Sequence, residues 1–102
     1  MNGETLHHKV VISTPDGLHL RPISAFAELA KQFQSRVTVR KDGKAFDGKS
    51  PLDMMLLAAV QGTELDLEVA GPDAPDALQR LLDLLVGLAV VEKTDPPPAA
   101  NG

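Results

Sequence analysis

The chain has 102 residues and no cysteine, so its length predicts a single domain and its composition excludes disulfides and cysteine-bound zinc. Apolar residues make up 43% and charged residues 24%, which excludes a wholly disordered chain, and we expect neither a membrane span nor a signal peptide. The net charge of −4 argues against nucleic-acid binding, which needs a basic surface.

The first half of the chain predicts a strand, a helix and a hairpin. Apolar and β-branched residues alternate over residues 6–13, which is typical of a strand, and a turn containing proline and glycine follows at residues 14–17. Strands at residues 36–40 and 44–47 flank Asp42-Gly43, a two-residue signal for a hairpin. Between them a helix is predicted over residues 20–33, because apolar residues recur there at spacings of three and four: Ile23, Phe26, Ala30 and Phe33.

The second half predicts two helices and one strand. Ser50 as N-cap and Pro51 at the first helical position predict a short helix over residues 51–59, and alternation predicts a strand over residues 63–70. Asp73 is predicted to cap a last helix with an apolar stripe that is expected to be buried: Leu78, Leu81, Leu82, Leu85 and Ala89.

The order β-α-β-β-α-β-α predicts a two-layer α+β domain. We expect a four-stranded, largely antiparallel sheet that is covered by three helices on one face. Residues 1–91 then form one domain. Residues 92–102 contain three consecutive prolines and are predicted to be a disordered tail.

The segment from Gly17 to Pro22 places a histidine at the start of the first predicted helix and an arginine two residues later. The first N–H groups of a helix lack partners, and its positive end attracts anions and disfavours a protonated histidine ring. Leu18 is expected to anchor the loop in the core, and the planar guanidinium of Arg21 matches phosphate oxygens. The pattern favours His19 as a nucleophile that accepts a phosphoryl group and passes it on. The alternative is an exposed histidine without a function.

Two further histidines, His7 and His8, lie on the first predicted strand, where adjacent side chains point to opposite faces. They are therefore not expected to share a metal ion, and we interpret them as surface and strand positions. The sequence indicates no metal site and no cofactor.

The second predicted helix is almost entirely apolar, with Asp53 as its only charge. A short helix on a two-layer domain can bury only one face, so an exposed apolar surface for a partner is predicted, although the helix could instead be buried more deeply. Ser50 is most simply an N-cap. Phosphorylation of Ser50 would place negative charge beside the apolar surface, which a partner would not tolerate.

Three segments together resemble HPr, the histidine-containing phosphocarrier of the phosphoenolpyruvate-dependent phosphotransferase system. They are residues 17–22, residues 48–50 leading into Met54-Met55 and Gln61-Gly62, and residues 70–73. The resemblance covers about residues 6–90. It implies an open-faced β-sandwich and a cytoplasmic monomer that needs no cofactor and neither binds nucleic acid nor inserts into membranes.

The resemblance also implies roles for particular residues. His19 would take a phosphoryl group from phospho-enzyme I on Nδ1 and pass it to a histidine of an EIIA-type protein, with Arg21 as the phosphate partner. The chain would then be a phosphoryl-transfer intermediate rather than a free-standing enzyme. Ser50 matches the position that HPr kinase/phosphorylase phosphorylates in lineages that have that enzyme.

A docking surface is implied as well. Leu52 and Met55 match the exposed apolar surface of the family, so the resemblance assigns them outward and places Met54 and Leu57 inward. Leu20 stands at the rim of the site, where many members have a small or hydroxyl residue, and is assigned to docking with them.

The chain departs from the family at several positions. Pro51 directly after Ser50 is unusual for the kinase, and Glu28 and Asp53 place negative charge where many members carry lysine or neutral residues, which leaves the partner open. Two alternatives to a sugar-transport carrier also stay open. One is a regulatory or nitrogen-branch module in which phosphorylation of His19 or Ser50 controls docking. The other is a related α+β domain that binds a ligand without being phosphorylated.

Overall fold

A computed structural model describes residues 4–92 of the chain. The elements follow the predicted order: β1 (Glu4–Val11), α1 (Leu20–Ala30), β2 (Arg36–Lys41), β3 (Lys44–Asp47), α2 (Pro51–Leu57), β4 (Glu64–Gly71) and α3 (Ala74–Gly87). All strand pairs are antiparallel and the sheet order is β1-β4-β2-β3, which confirms the predicted fold class. Of the predicted tail, residues 93–102 lie outside the described residues. No helix in the described range is long and apolar enough to cross a membrane.

The sheet has one apolar face and one polar face, as the alternation predicts. The apolar face packs against the helices through side chains that are at most 5% exposed: Val10, Val37, Val39, Leu65, Leu67 and Val69. The polar face carries contacts between basic and acidic side chains of neighbouring strands: His7 with Asp66, Lys9 with Glu64 and Arg40 with Glu68. The core therefore lies between the sheet and its single layer of helices.

The first helix ends at Ala30, three residues before the predicted end, so that boundary is wrong. The amides of Gln32 and Phe33 donate to carbonyls three residues back, those of Leu29 and Ala30, at 3.0 and 3.2 Å. Such bonds tighten and end a helix. Phe33 still reaches the core and is 8% exposed, because the tightened turn points its ring inward.

Asp73 stands at the N-cap position of α3, but its carboxylate makes no capping bond, which corrects the predicted role. The carboxylate instead accepts hydrogen bonds from the amides of Gln34 and Ser35, both at 2.9 Å, and from the Ser35 hydroxyl. These bonds, led by the one from the hydroxyl, hold the pKa of Asp73 below its usual value. Gly71 gives the buried Ser35 its space, since a Cβ there would lie 2.6 Å from the Ser35 Cα. The network joins the turn after α1 to the start of α3.

The other two helices also end earlier than predicted. Helix α2 ends at Leu57 because Ala58 adopts a left-handed backbone with φ 50°. Helix α3 ends at Gly87, and Ala89 lies beyond it with φ 59°, exposed rather than in the predicted buried stripe. The left-handed residue lets the amide of Val90 return to a carbonyl of the last helical turn, which closes the helix.

Candidate functional site

A fixed loop brings His19 to the start of α1. The Gly17 amide donates to the carbonyl of Thr14 at 3.0 Å, and the next amide, that of Leu18, donates to the carbonyl of Ala59 at 2.8 Å. Leu18 is 8% exposed, so it anchors the loop in the core as predicted. Gly17 has φ +68°, and a Cβ on it would lie 2.8 Å from the Ala59 oxygen. Only glycine therefore permits this close approach between the two loops.

The exposed His19 occupies the N-cap position of α1. Its backbone is extended, its carbonyl accepts the amide of Ile23 at 3.1 Å, and its side chain makes no capping hydrogen bond. The ring is therefore available rather than used to close the helix. The amides of Leu20 and Arg21 belong to the first turn, where N–H groups have no partner within the helix, and Pro22 has no N–H. These open donors give the helix end its partial positive charge.

One open cavity of about 380 Å³ contains both predicted phosphate-handling residues. Arg21 is exposed, and no ion pair of this side chain occurs within residues 4–92, so the guanidinium is available to an incoming anion. The cavity wall consists of Thr14, Asp16, His19, Arg21 and Pro22 on one side and residues 87–90 on the other.

Part of this wall was not predicted. The sequence pattern indicates Asp16 only as a turn residue, although its position three residues before His19 is a signal that the same loop carries both side chains. Residues 87–90 carry no such signal, because they reach the cavity only through the packing of α3 against α1 and the pairing of Ile12 with Val91.

The remaining histidines, His7 and His8, lie on β1, away from the cavity that contains His19. Nδ1 of His7 lies 3.2 Å from Oδ2 of Asp66 on the polar face of the sheet. Within residues 4–92 no group of three or more histidine, cysteine, aspartate or glutamate side chains could hold a metal ion.

Ser50 is the N-cap of α2, as the sequence predicts. Its Oγ accepts the amide of Asp53 at 3.1 Å, and the Asp53 carboxylate accepts the amide of Asp47 at 2.9 Å. The hydroxyl is half-buried and lies in a turn that already carries two carboxylates. Phosphorylation here would lose the capping hydrogen bond in its present form and add charge beside Asp53.

An apolar patch extends over α2 and the beginning of α1. It consists of side chains that are 52–67% exposed: Leu20, Leu52, Met55, Leu56 and Val60. The predicted inward residues Met54 and Leu57 are buried, so the predicted orientation of α2 is confirmed, and the deeper burial considered as the alternative is wrong. Leu56 and Val60 extend the exposed surface beyond the residues that the sequence singled out. Whether the apolar patch docks a partner stays a prediction.

The fold and the site define a class: a small open-faced β-sandwich with an exposed histidine at the start of its first helix. The chain matches the family described as the PTS HPr component phosphorylation site over residues 6–86. The phosphocarrier protein HPr of Neisseria meningitidis is 39% identical over 82 residues, which are 80% of this chain and 92% of that protein. The HPr-like protein Crh of Bacillus subtilis is 38% identical over 76 residues, 74% of this chain and 89% of that protein.

Solved structures of the same family have the same fold as this chain. A histidine-containing phosphocarrier protein from Mycoplasma superposes with a TM-score of 0.83 at 30% identity, over 85% of this chain and 99% of that one. A Crh structure, a dimer with a swapped domain, has a TM-score of 0.64 at 36% identity, over 83% of this chain and 97% of that one. The chain belongs to the HPr family, the phosphocarriers of the phosphotransferase system.

Proposed function

We propose that this chain accepts a phosphoryl group from phospho-enzyme I on Nδ1 of His19 and passes it to a histidine of an EIIA-type protein. The observation that supports this most directly is the exposed His19 ring at the open end of α1, with Arg21 on the same cavity. Membership of the HPr family is the reason for proposing phospho-enzyme I as the donor and an EIIA-type protein as the acceptor. We further propose that the domain of residues 1–91 acts in the cytoplasm as a monomer.

The proposed step exchanges one N–P bond for another. The unprotonated Nδ1 of His19 attacks phosphorus, the bond to the donor histidine breaks, and the donor ring leaves as a neutral imidazole. Phosphorylated His19 gives the proton on its other nitrogen to solvent, and the leaving donor ring takes one up, so no proton is gained or lost overall. The open amides at the start of α1 and the guanidinium of Arg21 would hold the phosphoryl oxygens, so the protein contributes positioning and electrostatic stabilisation.

The apolar patch is proposed as the surface that docks both partners. A carrier must release the donor before it binds the acceptor, so one exposed surface beside the histidine can serve the two encounters in turn. Leu20 adjoins His19 in sequence, and the loop that carries His19 bonds to Ala59 directly after α2. A partner covering α2 would therefore lie beside the loop that carries His19. Excluding water there strengthens the interaction of Arg21 with the phosphoryl group.

Labelling with phosphoenolpyruvate and purified enzyme I tests the site. We expect the wild-type chain and His7→Ala, the matched control with another exposed histidine removed, to take up acid-labile phosphate, and His19→Ala to take up none. Label that persists in His19→Ala would disprove the assignment.

A second pair of variants tests the role of Arg21. Arg21→Ala should slow labelling by about tenfold without loss of stability, because an exposed phosphate ligand acts on the transition state and not on the fold. Arg36→Ala, which removes an exposed arginine outside the cavity, should label at the wild-type rate. Equal rates for Arg21→Ala and wild type would remove Arg21 from the mechanism.

A regulatory module is the second candidate function, because the relatives include Crh, the catabolite repression HPr of Bacillus subtilis. In this case phosphorylation of His19 or Ser50, the latter by an HPr kinase/phosphorylase, would control docking. Ser50→Asp adds a charge and Ser50→Asn does not, while both residues are good N-caps, so the pair separates charge from capping. Weaker binding of enzyme I to Ser50→Asp alone would support the switch, and equal binding of both variants would exclude it.

A further inference from the structure

Asp16 is the negatively charged side chain of the cavity that contains His19, and nothing in the proposed transfer step uses it. The phosphocarrier pattern accounts for the histidine, the arginine and the open amides. A carboxylate on the same wall opposes them, because the phosphoryl group that would occupy this cavity carries about two negative charges.

The turn of residues 14–17 fixes the backbone of Asp16. Its amide donates to Oγ1 of Thr14 at 3.3 Å, and the following residue, Gly17, is pressed against the loop after α2. Pro15 restricts the backbone on the other side. The Asp16 side chain is exposed, and within residues 4–92 its carboxylate has neither a hydrogen bond nor an ion pair. Its charge is therefore not cancelled by a neighbour.

The other negative feature of the cavity is the end of α3, where three carbonyls of the last turns already accept hydrogen bonds. The amides of Leu88, Ala89 and Val90 return to carbonyls of the last turns of this helix, at 2.9–3.0 Å. These bonds satisfy carbonyl groups that would otherwise point outward as the negative end of the helix. Among the residues that line the cavity, Asp16 thus has the one side chain with a full negative charge, and Arg21 has the one side chain with a permanent positive charge.

From this arrangement we propose that Asp16 sets the phosphoryl-transfer potential of His19. The inference rests on the proposed function. The carboxylate raises the free energy of phospho-His19 by repelling the phosphoryl dianion, whereas unphosphorylated His19 feels no such repulsion. Phospho-His19 is then a better donor to the next protein, and Arg21 offsets part of the repulsion.

The size of the effect follows from Coulomb's law. A carboxylate and a dianion separated by on the order of 8 Å in a solvent-like dielectric change the equilibrium by about fivefold. Salt should reduce this effect, because the Debye length falls from about 10 Å at 0.1 M to about 3 Å at 1 M. A purely structural role of Asp16 would not produce this dependence on salt.

The equilibrium with enzyme I measures the transfer potential. Catalytic enzyme I, with phosphoenolpyruvate and pyruvate at a ratio that phosphorylates half of the wild-type chain, interconverts the two forms through the transfer step above. The phosphorylated fraction is then read for each variant. Asp16→Asn should raise the ratio of phosphorylated to unphosphorylated chain about fivefold at low salt, and by much less at about 1 M salt.

Two controls make the result specific. Asp16→Glu keeps the charge and should stay near the wild-type ratio. Asp42→Asn removes an exposed carboxylate in the β2–β3 turn, outside the cavity, and should also leave the ratio unchanged. A wild-type ratio in Asp16→Asn, or equal shifts in Asp16→Asn and Asp42→Asn, overturns this inference and leaves the proposed function standing. Failure of the wild-type chain to be labelled on His19 overturns both.

Discussion

Replacing Gly17 with alanine tests how the loop that carries His19 is held. The added Cβ would lie 2.8 Å from the Ala59 oxygen and 3.1 Å from the Val60 Cα, and both of these are backbone atoms. The same Ala59 oxygen accepts the amide of Leu18, so the clash can be relieved only by displacing that hydrogen bond and the loop. The φ of Gly17, +68°, adds a cost of about 1–2 kcal/mol for any L side chain.

Gly43→Ala is the control that separates the cost of the positive φ from the cost of the clash with backbone atoms. Gly43 also has a positive φ, +81°, but a Cβ there would meet no atom within 4 Å. We expect the control to lose about 1 kcal/mol of unfolding free energy from its backbone alone. Gly17→Ala should lose about 3 kcal/mol, because the contact with backbone atoms and the weakened Leu18 hydrogen bond add to the same backbone cost.

Urea unfolding followed by circular dichroism gives both free energies, provided that the slopes agree between variants. The folded fraction of Gly17→Ala should also be phosphorylated on His19 more slowly than wild type, whereas Gly43→Ala should keep the wild-type rate. Equal destabilisation of the two variants would refute the reasoning, since it would mean that the approach to the Ala59 carbonyl costs nothing.

Substitutions at three further positions test other parts of the fold. Ala89→Gly should raise the free energy of unfolding by about 1 kcal/mol, because the residue is exposed at φ 59°; a lower thermal midpoint would contradict this. Asp73→Asn should flatten the loss of stability in acid. Hydrogen bonds, first from Ser35, lower the folded-state pKa of Asp73, so its contribution is present above about pH 4 and is lost as the pH falls further. Urea unfolding at several pH values measures this, and an unchanged pH dependence would count against it. Ser50→Ala should cost about 1 kcal/mol by removing the cap on Asp53, and Ser50→Asn should cost little; equal losses in urea unfolding would exclude capping.

The candidate site divides into a part that the sequence predicts and a part that it does not. The segment of residues 17–22 predicts an exposed histidine beside an arginine at a helix start. This prediction is possible because the turn glycine, the histidine, the arginine and the proline of the first helical turn lie within six consecutive residues. The exposed side of α2 was less accessible to prediction. The nine residues of the predicted helix are too few for periodicity to choose a face, and the resemblance to HPr rather than the pattern assigns Leu52 and Met55 outward.

Two of the wrong helix predictions, the end of α1 and the cap of α3, involve the same side chain, Asp73. The apolar stripe of α1 continues to Phe33, so periodicity extends the helix, yet the helix ends at Ala30, and the carboxylate of Asp73 binds the amides of Gln34 and Ser35 just beyond it. The same carboxylate was predicted to cap α3, since a sequence shows only that aspartate precedes a helix. It does not show which of several nearby amides the side chain will reach.

The sequence by itself determined the order of elements, the apolar face of each strand and the histidine at the start of α1, because each depends on neighbours a few residues apart. Only the tertiary structure decided that Asp16 and residues 87–90 share a cavity with His19 and Arg21. That cavity forms where the ends of α1 and α3 meet, and residues about 70 positions apart come together through packing of the core, which no local pattern encodes.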